Sequence, residues 1–380
     1  MRSRFARLLQ LLSVFVLYTS YKIAELLPWS GWAAVLGALA LALALFAVMT
    51  AGMFLYRPKP NIFDAPWFRL LAWTGSLGMA AWATFIIVSI PVDLVHLLFA
   101  ISGHADTGTW HLVALAVFAI SLALSSIGFA QVLGGPRVKN TRIAIDSLAP
   151  SLVGLRIAHV SDLHVGTTVR AGYVEGVVAR VNAAAPDFVF LTGDIVDAYA
   201  ASVSRHLSAL AGLAPKYGSF YVTGNHEYYW DPAAIIAELR RLGIKPLLNE
   251  AVIVDVGASR LLIGGVTDPA GAHLLTGHAP SVAAALASGL GAELKILLAH
   301  RPDVCARAEP LGFDIQFSGH THAGQFFPFS LFIGLAHRYS RGLYRHGRLW
   351  LYVNPGTGYW GPANRLGVAA EISIISLEQG

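Results

Sequence analysis

Residues 31–56, 70–92 and 110–133 of this chain contain no Asp, Glu, Lys or Arg. Each run exceeds the ~18 apolar residues that mark a helix able to cross a lipid bilayer. A fourth run, residues 8–29, is weaker because it holds Lys22 and Glu25. These two are three residues apart, so they can pair on one helical face. A lysine near the end of a span can also reach the interface. Arg2, Arg4 and Arg7 ahead of an apolar core would also fit a cleaved signal peptide, but no convincing small-x-small cleavage site follows. Residues 1–136 therefore read as a bundle of about four transmembrane helices. Composition agrees: only 13% of residues are charged, against about 25% in soluble domains.

The formal net charge of +5 is unevenly placed. Nine of the 27 basic residues but only four of the 22 acidic ones precede residue 141, so the remainder is neutral. The excess therefore reads as membrane topology. A neutral C-terminal part also argues against long nucleic acid, whose binding relies on Lys and Arg. Basic clusters at Arg2/Arg4/Arg7, Arg57/Lys59/Arg69 and Arg137/Lys139/Arg142 fall on one side of the spans. The positive-inside rule makes that side the cytoplasm. The chain is thus expected to be an integral membrane protein with its C-terminal part inside. The single cysteine, Cys305, excludes an intramolecular disulfide and reads as a small buried apolar residue.

Beyond a linker at 137–153, the pattern of residues 154–380 changes. Short buried-strand runs at 155–160, 188–191, 219–222, 261–265, 294–299 and 313–317 are expected. Helical runs at 170–185, 200–213 and 232–242 separate the first of them. This alternation predicts an α/β layer fold. Late strands at 349–353 and 369–375 have no clear helix between them, which makes a second, mixed sheet plausible.

The residues that follow these strands carry chemistry. They are Ser161-Asp162-Leu163-His164, Gly193-Asp194, Gly224-Asn225-His226-Glu227, His300 and Gly319-His320-Thr321-His322. Ligands of open α/β sheets bind beyond the carboxyl ends of the strands, so these clusters should converge on one edge. Asp, Asn and His without thiolates suit hard-to-borderline divalent ions. In extended chain, the spacing of Asp162 and His164, and of His320 and His322, sends each pair to the same side. The glycines permit turns that bring backbone close to metal. Asp194 is the candidate to bridge two ions. Any one cluster is commonplace; seven potential ligands buried together without metal would leave polar groups unsatisfied.

As a set, the blocks resemble the calcineurin-like metallophosphoesterase superfamily, over residues 155–375. The runs Ser161-Asp162-Leu163-His164, His300-Arg301-Pro302 and Gly319-His320-Thr321-His322-Ala323-Gly324-Gln325 are most similar to its membrane-anchored, YkuE-like members. The resemblance implies a two-sheet β-sandwich flanked by helices, holding two divalent ions (Mn, Fe, Zn or Co). One ion would be held by Asp162, His164, Asp194 and His322, the second by Asp194, Asn225, His300 and His320. His226 would not ligate but would protonate the leaving oxygen. Two such cations ~3.5–4 Å apart clamp the attacking and leaving oxygens of an in-line displacement and make water more acidic. The chain departs from the subgroup at Ala323, where glycine is usual, which matters only if that position needs positive φ. Ala198 and Tyr199 stand where protein Ser/Thr phosphatases carry an arginine and a glycine, which argues against that branch.

Other residues carry weaker signals. Arg365 sits where the resembling family often has a late arginine able to grip a phosphate, though a surface arginine is an equal reading. Asp197 reads as a helix cap before a supporter of the metals, and Glu227 as a support for His226 or the first helical turn. His159 reads as a strand residue without a role. His206, His273, His278, His337 and His346 read as surface or packing. The aromatic stretch 326–344 either packs on the core or faces the bilayer. The expected activity is hydrolysis of a phosphodiester, pyrophosphate or phosphomonoester bond in a lipid-linked or small phosphate-ester substrate, with the bilayer as partner. The alternatives are a nucleotide phosphodiesterase, and a membrane sensor or transporter whose metal-binding domain is not catalytic.

Overall fold

The computed structural model describes residues 2–27, 31–51, 60–104, 106–286 and 291–380. The basic residues Arg57 and Lys59, counted among the clusters above, lie outside these. The chain forms two compact units, one of N-terminal helices together with Gly361–Leu366, the other of most of the remaining chain.

The helical unit contains α1 (Arg2–Leu26), α2 (Gly31–Thr50), α4 (Pro66–Ile101) and α5 (Thr107–Leu133); a short α3 (Pro60–Phe63) belongs to the other unit. Three of these helices, α2, α4 and α5, are long and apolar enough to cross a membrane. The expected number was about four. Helix α1 forms, but Arg2, Arg4, Arg7, Lys22 and Glu25 punctuate its sequence, and each charge is costly in hydrocarbon. Lys22 does pair with Glu25, and its Nζ also lies 2.8 Å from Asp93 Oδ1 on α4. A charge so placed in an apolar bundle is retained because its partners are supplied from inside the bundle.

Among the described residues, the second unit holds twelve strands in two six-stranded sheets. They are β1 (Arg137–Ile145), β2 (Arg156–Val160), β3 (Phe188–Thr192), β4 (Gly218–Val222), β5 (Ile244–Pro246), β6 (Glu250–Val256), β7 (Ser259–Gly265), β8 (Leu294–Leu298), β9 (Ile315–Ser318), β10 (Gly342–His346), β11 (Leu349–Val353) and β12 (Glu371–Gln379). The first sheet runs β1-β12-β2-β3-β4-β5, and the second β10-β11-β9-β8-β7-β6. Strands β2 to β5 are mutually parallel, and so are β11, β9, β8 and β7; antiparallel pairings occur at β12/β2, β10/β11 and β6/β7. The expected mixed second sheet is therefore present.

The stretch 137–153 is not simply a linker. Its first nine residues are β1, paired in parallel with β12 from Arg137↔Glu371 to Ile145↔Gln379. Most of β1 is exposed, and its Arg and Lys side chains suit an unpaired sheet edge, so it lacks the apolar signature of the central strands.

Phe188, Phe190 and Phe220 of the first sheet and Ile263, Ile296 and Phe317 of the second share one buried core. The rings of Phe190 and Phe317 are 5.3 Å apart. Helices α6 (Ala171–Ala183), α7 (Ala200–Leu207) and α8 (Pro232–Arg241) form the connections around the parallel strands of the first sheet. Strands covered on both faces read as continuous apolar runs, as β3 does with five buried residues. Strands β2, β3, β4, β8 and β9 all end next to a polar cluster.

Candidate metal centre

The loops after β2 and β3 are locked together by backbone. Asp162 N–H donates to the Gly193 carbonyl and His164 N–H to the Asp194 carbonyl, both at 3.0 Å, and Val165 bridges to Val196. Among the described residues, three groups of side chains could hold a metal ion: Asp162, His164 and His322; Asp194, His300 and His320; and His164, Asp197 and His226. In the first, His164 Nε2 is 3.0 Å from His322 Nε2, which is 3.3 Å from Asp162 Oδ1. In the second, His300 Nε2 is 3.2 Å from Asp194 Oδ2 and 3.1 Å from His320 Nδ1. The groups adjoin, because the His320 N–H donates to both Asp162 oxygens at 3.1 and 3.0 Å.

These donors fit divalent ions. Imidazole nitrogens that converge on one another and on a carboxylate need a cation or a proton between them. His300 Nδ1 lies 2.7 Å from the Thr192 carbonyl. That contact makes Nδ1 the protonated nitrogen and leaves the Nε2 lone pair for a ligand. Asn225 donates from Nδ2 to the Tyr229 hydroxyl at 3.1 Å. Its Oδ1 is buried without a partner, a cost that a metal bond removes. The sequence-predicted ligands Asp162, His164, Asp194, His300, His320 and His322 are thus brought together, and Asn225 stands beside them on the loop that carries His226.

The local backbone departs from the extended chain expected of the paired ligands. Asp162, His164, Asp194, His320 and His322 have φ between 49° and 73°. Left-handed backbone in non-glycine residues is costly and clusters at functional sites. Two of the motif glycines also have a different purpose from the one expected. A Cβ on Gly224 would lie 2.1 Å from Asp194 Oδ1, and one on Gly319 would lie 2.1 Å from Asp162 Oδ2. They make room for the carboxylates.

Ala323 has φ 51°, so the departure from the subgroup's glycine falls where glycine is favoured. Left-handed φ costs an L-residue roughly 1–2 kcal/mol, partly offset by the greater freedom of glycine in the unfolded chain. Ala323→Gly is therefore expected to raise the melting temperature by about 2 °C. A thermal-unfolding comparison in detergent that shows a lower value would contradict the strain.

Asp197 is not a helix cap; α7 is capped by Tyr199 without a side-chain bond. Asp197 Oδ1 lies 2.6 Å from His226 Nδ1, and Oδ2 3.4 Å from His164 Nδ1. Burial works against both ionised partners. The histidines nonetheless hold Asp197 well below the usual carboxylate range, and Asp197 holds the His226 imidazole up at about 9. His226 Nε2 is then 3.9 Å from Asp194 Oδ2, so a protonated ring edge points at the ligand cluster. Glu227 opens a single 3-10 turn, and its charge adds to those that hold the His226 imidazole up. It accepts from the N–H groups of Gly224 (2.7 Å), Ile195 (2.7 Å), Asp194 (3.1 Å) and Val196 (3.3 Å), and so binds the β3 and β4 loops together.

His159 lies within β2, as expected. It is fully buried, with Nε2 2.7 Å from Thr192 Oγ1, and burial pulls it down to about 3. Arg365 is not a surface residue. It is buried in the segment that clusters with the helices, and its N–H donates to the Gly128 carbonyl at 3.1 Å. Ser161, part of the first motif, donates to Asp162 Oδ2 at 2.6 Å. Sequence reasoning missed Tyr229, which sits just beyond a motif and lacks a spacing signature of its own.

The model of the calcineurin-like phosphoesterase family matches residues 155–324. A metallophosphoesterase of Campylobacter jejuni is 29% identical over 337 residues, 87% of each chain. A transmembrane protein with metallophosphoesterase domain from Bos taurus is 36% identical over 70% of this chain and 62% of its own length. A metallophosphoesterase of Aquifex aeolicus is 31% identical over 64% of this chain and 92% of its own. This chain, with its apolar helices and its Asp/His cluster, therefore belongs to the calcineurin-like metallophosphoesterases, a metal-dependent family that also includes YkuE of Bacillus subtilis.

Proposed function

We propose that the protein is a membrane-embedded phosphoesterase that uses two divalent ions to hydrolyse a phosphodiester, pyrophosphate or phosphomonoester bond in a membrane-associated substrate. The observation that carries this reading is the buried, partnerless Asn225 Oδ1 beside two groups of convergent Asp and His donors. Asp162, His164, Asp194 and His322 would hold one ion, and Asp194, Asn225, His300 and His320 the other. Bound there, two divalent ions neutralise phosphoryl charge and acidify water. The chain's own residues do the rest. Asp194 joins the two groups, Glu227 holds its loop, and Asp197 orients His226 to protonate the leaving oxygen. The three apolar helices support a substrate reached from the bilayer. So does helix α10 (Phe329–Ala336), preceded by a short α9 (Cys305–Ala308). On α10, Leu331 and Leu335 are 67% and 89% exposed. The distribution of Lys and Arg supports a cytoplasmic catalytic domain.

The test is hydrolysis of bis-nitrophenyl phosphate and nitrophenyl phosphate by the full chain in detergent, with and without Mn²⁺. Metal-dependent turnover that chelation removes is the expected result. No turnover of either ester with any divalent ion, from folded protein, would favour a metal-binding sensor instead.

A further inference from the structure

A cavity of about 390 Å³ opens beside the ligand His320, within the usual size range of small-molecule sites. Its wall includes Arg301, His337, Arg338, Tyr339 and His346. One carboxylate, Asp303, also lines it, so two guanidinium groups and three imidazoles face a single acid.

The wall is built, not loosely assembled. Arg301 spends two of its five N–H donors on the buried Asp268, at 2.8 and 3.2 Å. That pair fixes the guanidinium from outside the cavity. Arg338 Cζ lies 5.3 Å from the Tyr339 ring centre, and the Tyr339 hydroxyl is 2.7 Å from His346 Nδ1. The His337 ring meets the His320 ring edge-on at 5.6 Å. Thr321, between two of the metal ligands, donates its hydroxyl to the Ser340 carbonyl at 2.5 Å. The cationic wall is therefore tied to the loop that would hold the metals.

We infer that this cavity is a second anion subsite, which takes a further phosphate of the substrate next to the phosphoryl group that is cleaved. The inference rests on the phosphoesterase reading and narrows it to substrates with two adjacent anionic groups, of which a pyrophosphate linkage is the simplest. A lone diester leaves this wall unused. Arginine forks match phosphate oxygens bidentately, and Arg338 is exposed, so it is reached without displacing core.

The test compares methylenediphosphonate with methylphosphonate on the full-length wild type and on Arg338→Gln. Their binding to metal-depleted protein is measured by calorimetry. Their competition against Mn²⁺-dependent hydrolysis of bis-nitrophenyl phosphate is measured alongside. The diphosphonate should bind more tightly than the monophosphonate to the wild type, and Arg338→Gln should lose about tenfold of that advantage. Arg338→Lys should lose less. The variant comparison separates the subsite from chelation of the ions by the diphosphonate. An advantage that is absent in the wild type, or that survives Arg338→Gln intact, overturns the subsite. Failure of the phosphoesterase reading looks different: no turnover in the wild type, with the calorimetric comparison still deciding the subsite.

Discussion

Replacing Asp194 with alanine is expected to lower kcat/KM for a metal-dependent phosphodiester by at least about 10³-fold, or ~4 kcal/mol of transition-state stabilisation. The carboxylate is central to the cluster. Oδ1 accepts the His226 N–H at 2.8 Å, while Oδ2 lies 3.2 Å from His300 Nε2 and 3.9 Å from His226 Nε2. Two histidine-rich groups with no shared anion would have to hold two dications side by side. The mutant should therefore lose metal as well as rate. Metal analysis after gel filtration should show fewer than two ions per chain. Asp194→Asn is the control for folding, because its amide oxygen keeps an acceptor for the His226 N–H but removes the charge. An alanine variant that retains both the wild-type metal content and turnover would remove Asp194 from the site.

Much of this centre was legible in the sequence because its ligands follow strands. The run at 188–191 is apolar on both faces, and those at 219–222 and 294–299 are apolar but for Ser219 and Lys295, so their ends, and the motifs beyond them, could be placed. What stayed hidden was decided by tertiary contact. Strand β1 exists because β12 offers it a full parallel register, which no local pattern announces. Strands β5, β6 and β10 were also missed; β5 has only three residues, and most of β6 and β10 is half-buried. Asp197 resembled a helix cap by its position, yet a turn brings it to His226 instead. The left-handed φ at Asp162, His164, Asp194, His320 and His322 was not anticipated, because Asp and His are only enriched there and most of them lie elsewhere. His337 and His346 lack a motif altogether; only the chain's return past Thr321 and Ser340 brings them beside His320.

The helical unit shows the same division. Uncharged runs identified α2, α4 and α5 directly, because length and the absence of charge are local properties. The pairing of Lys22 with Glu25 was also readable from spacing. Its second partner, Asp93, was not, because it comes from another helix. Lys22 of α1 is tolerable in an apolar bundle because both its partners, Glu25 and Asp93, are in place.

His226→Ala should slow hydrolysis of alkyl phosphodiesters by about 10²–10³-fold while costing nitrophenyl diesters no more than about tenfold. A nitrophenolate leaves without help, whereas an alkoxide needs a proton as the bond breaks. The geometry permits the distinction. The His226 backbone N–H, which supports Asp194 Oδ1 at 2.8 Å, survives in the alanine variant. Only the ring is lost, with its Nδ1 held by Asp197 at 2.6 Å and its Nε2 aimed into the cluster. Asp197→Asn should show the same leaving-group pattern in weaker form, because the ring remains but its proton is less firmly held. Parallel loss on both ester classes would assign His226 to holding the metals or the substrate, since those roles do not depend on what departs.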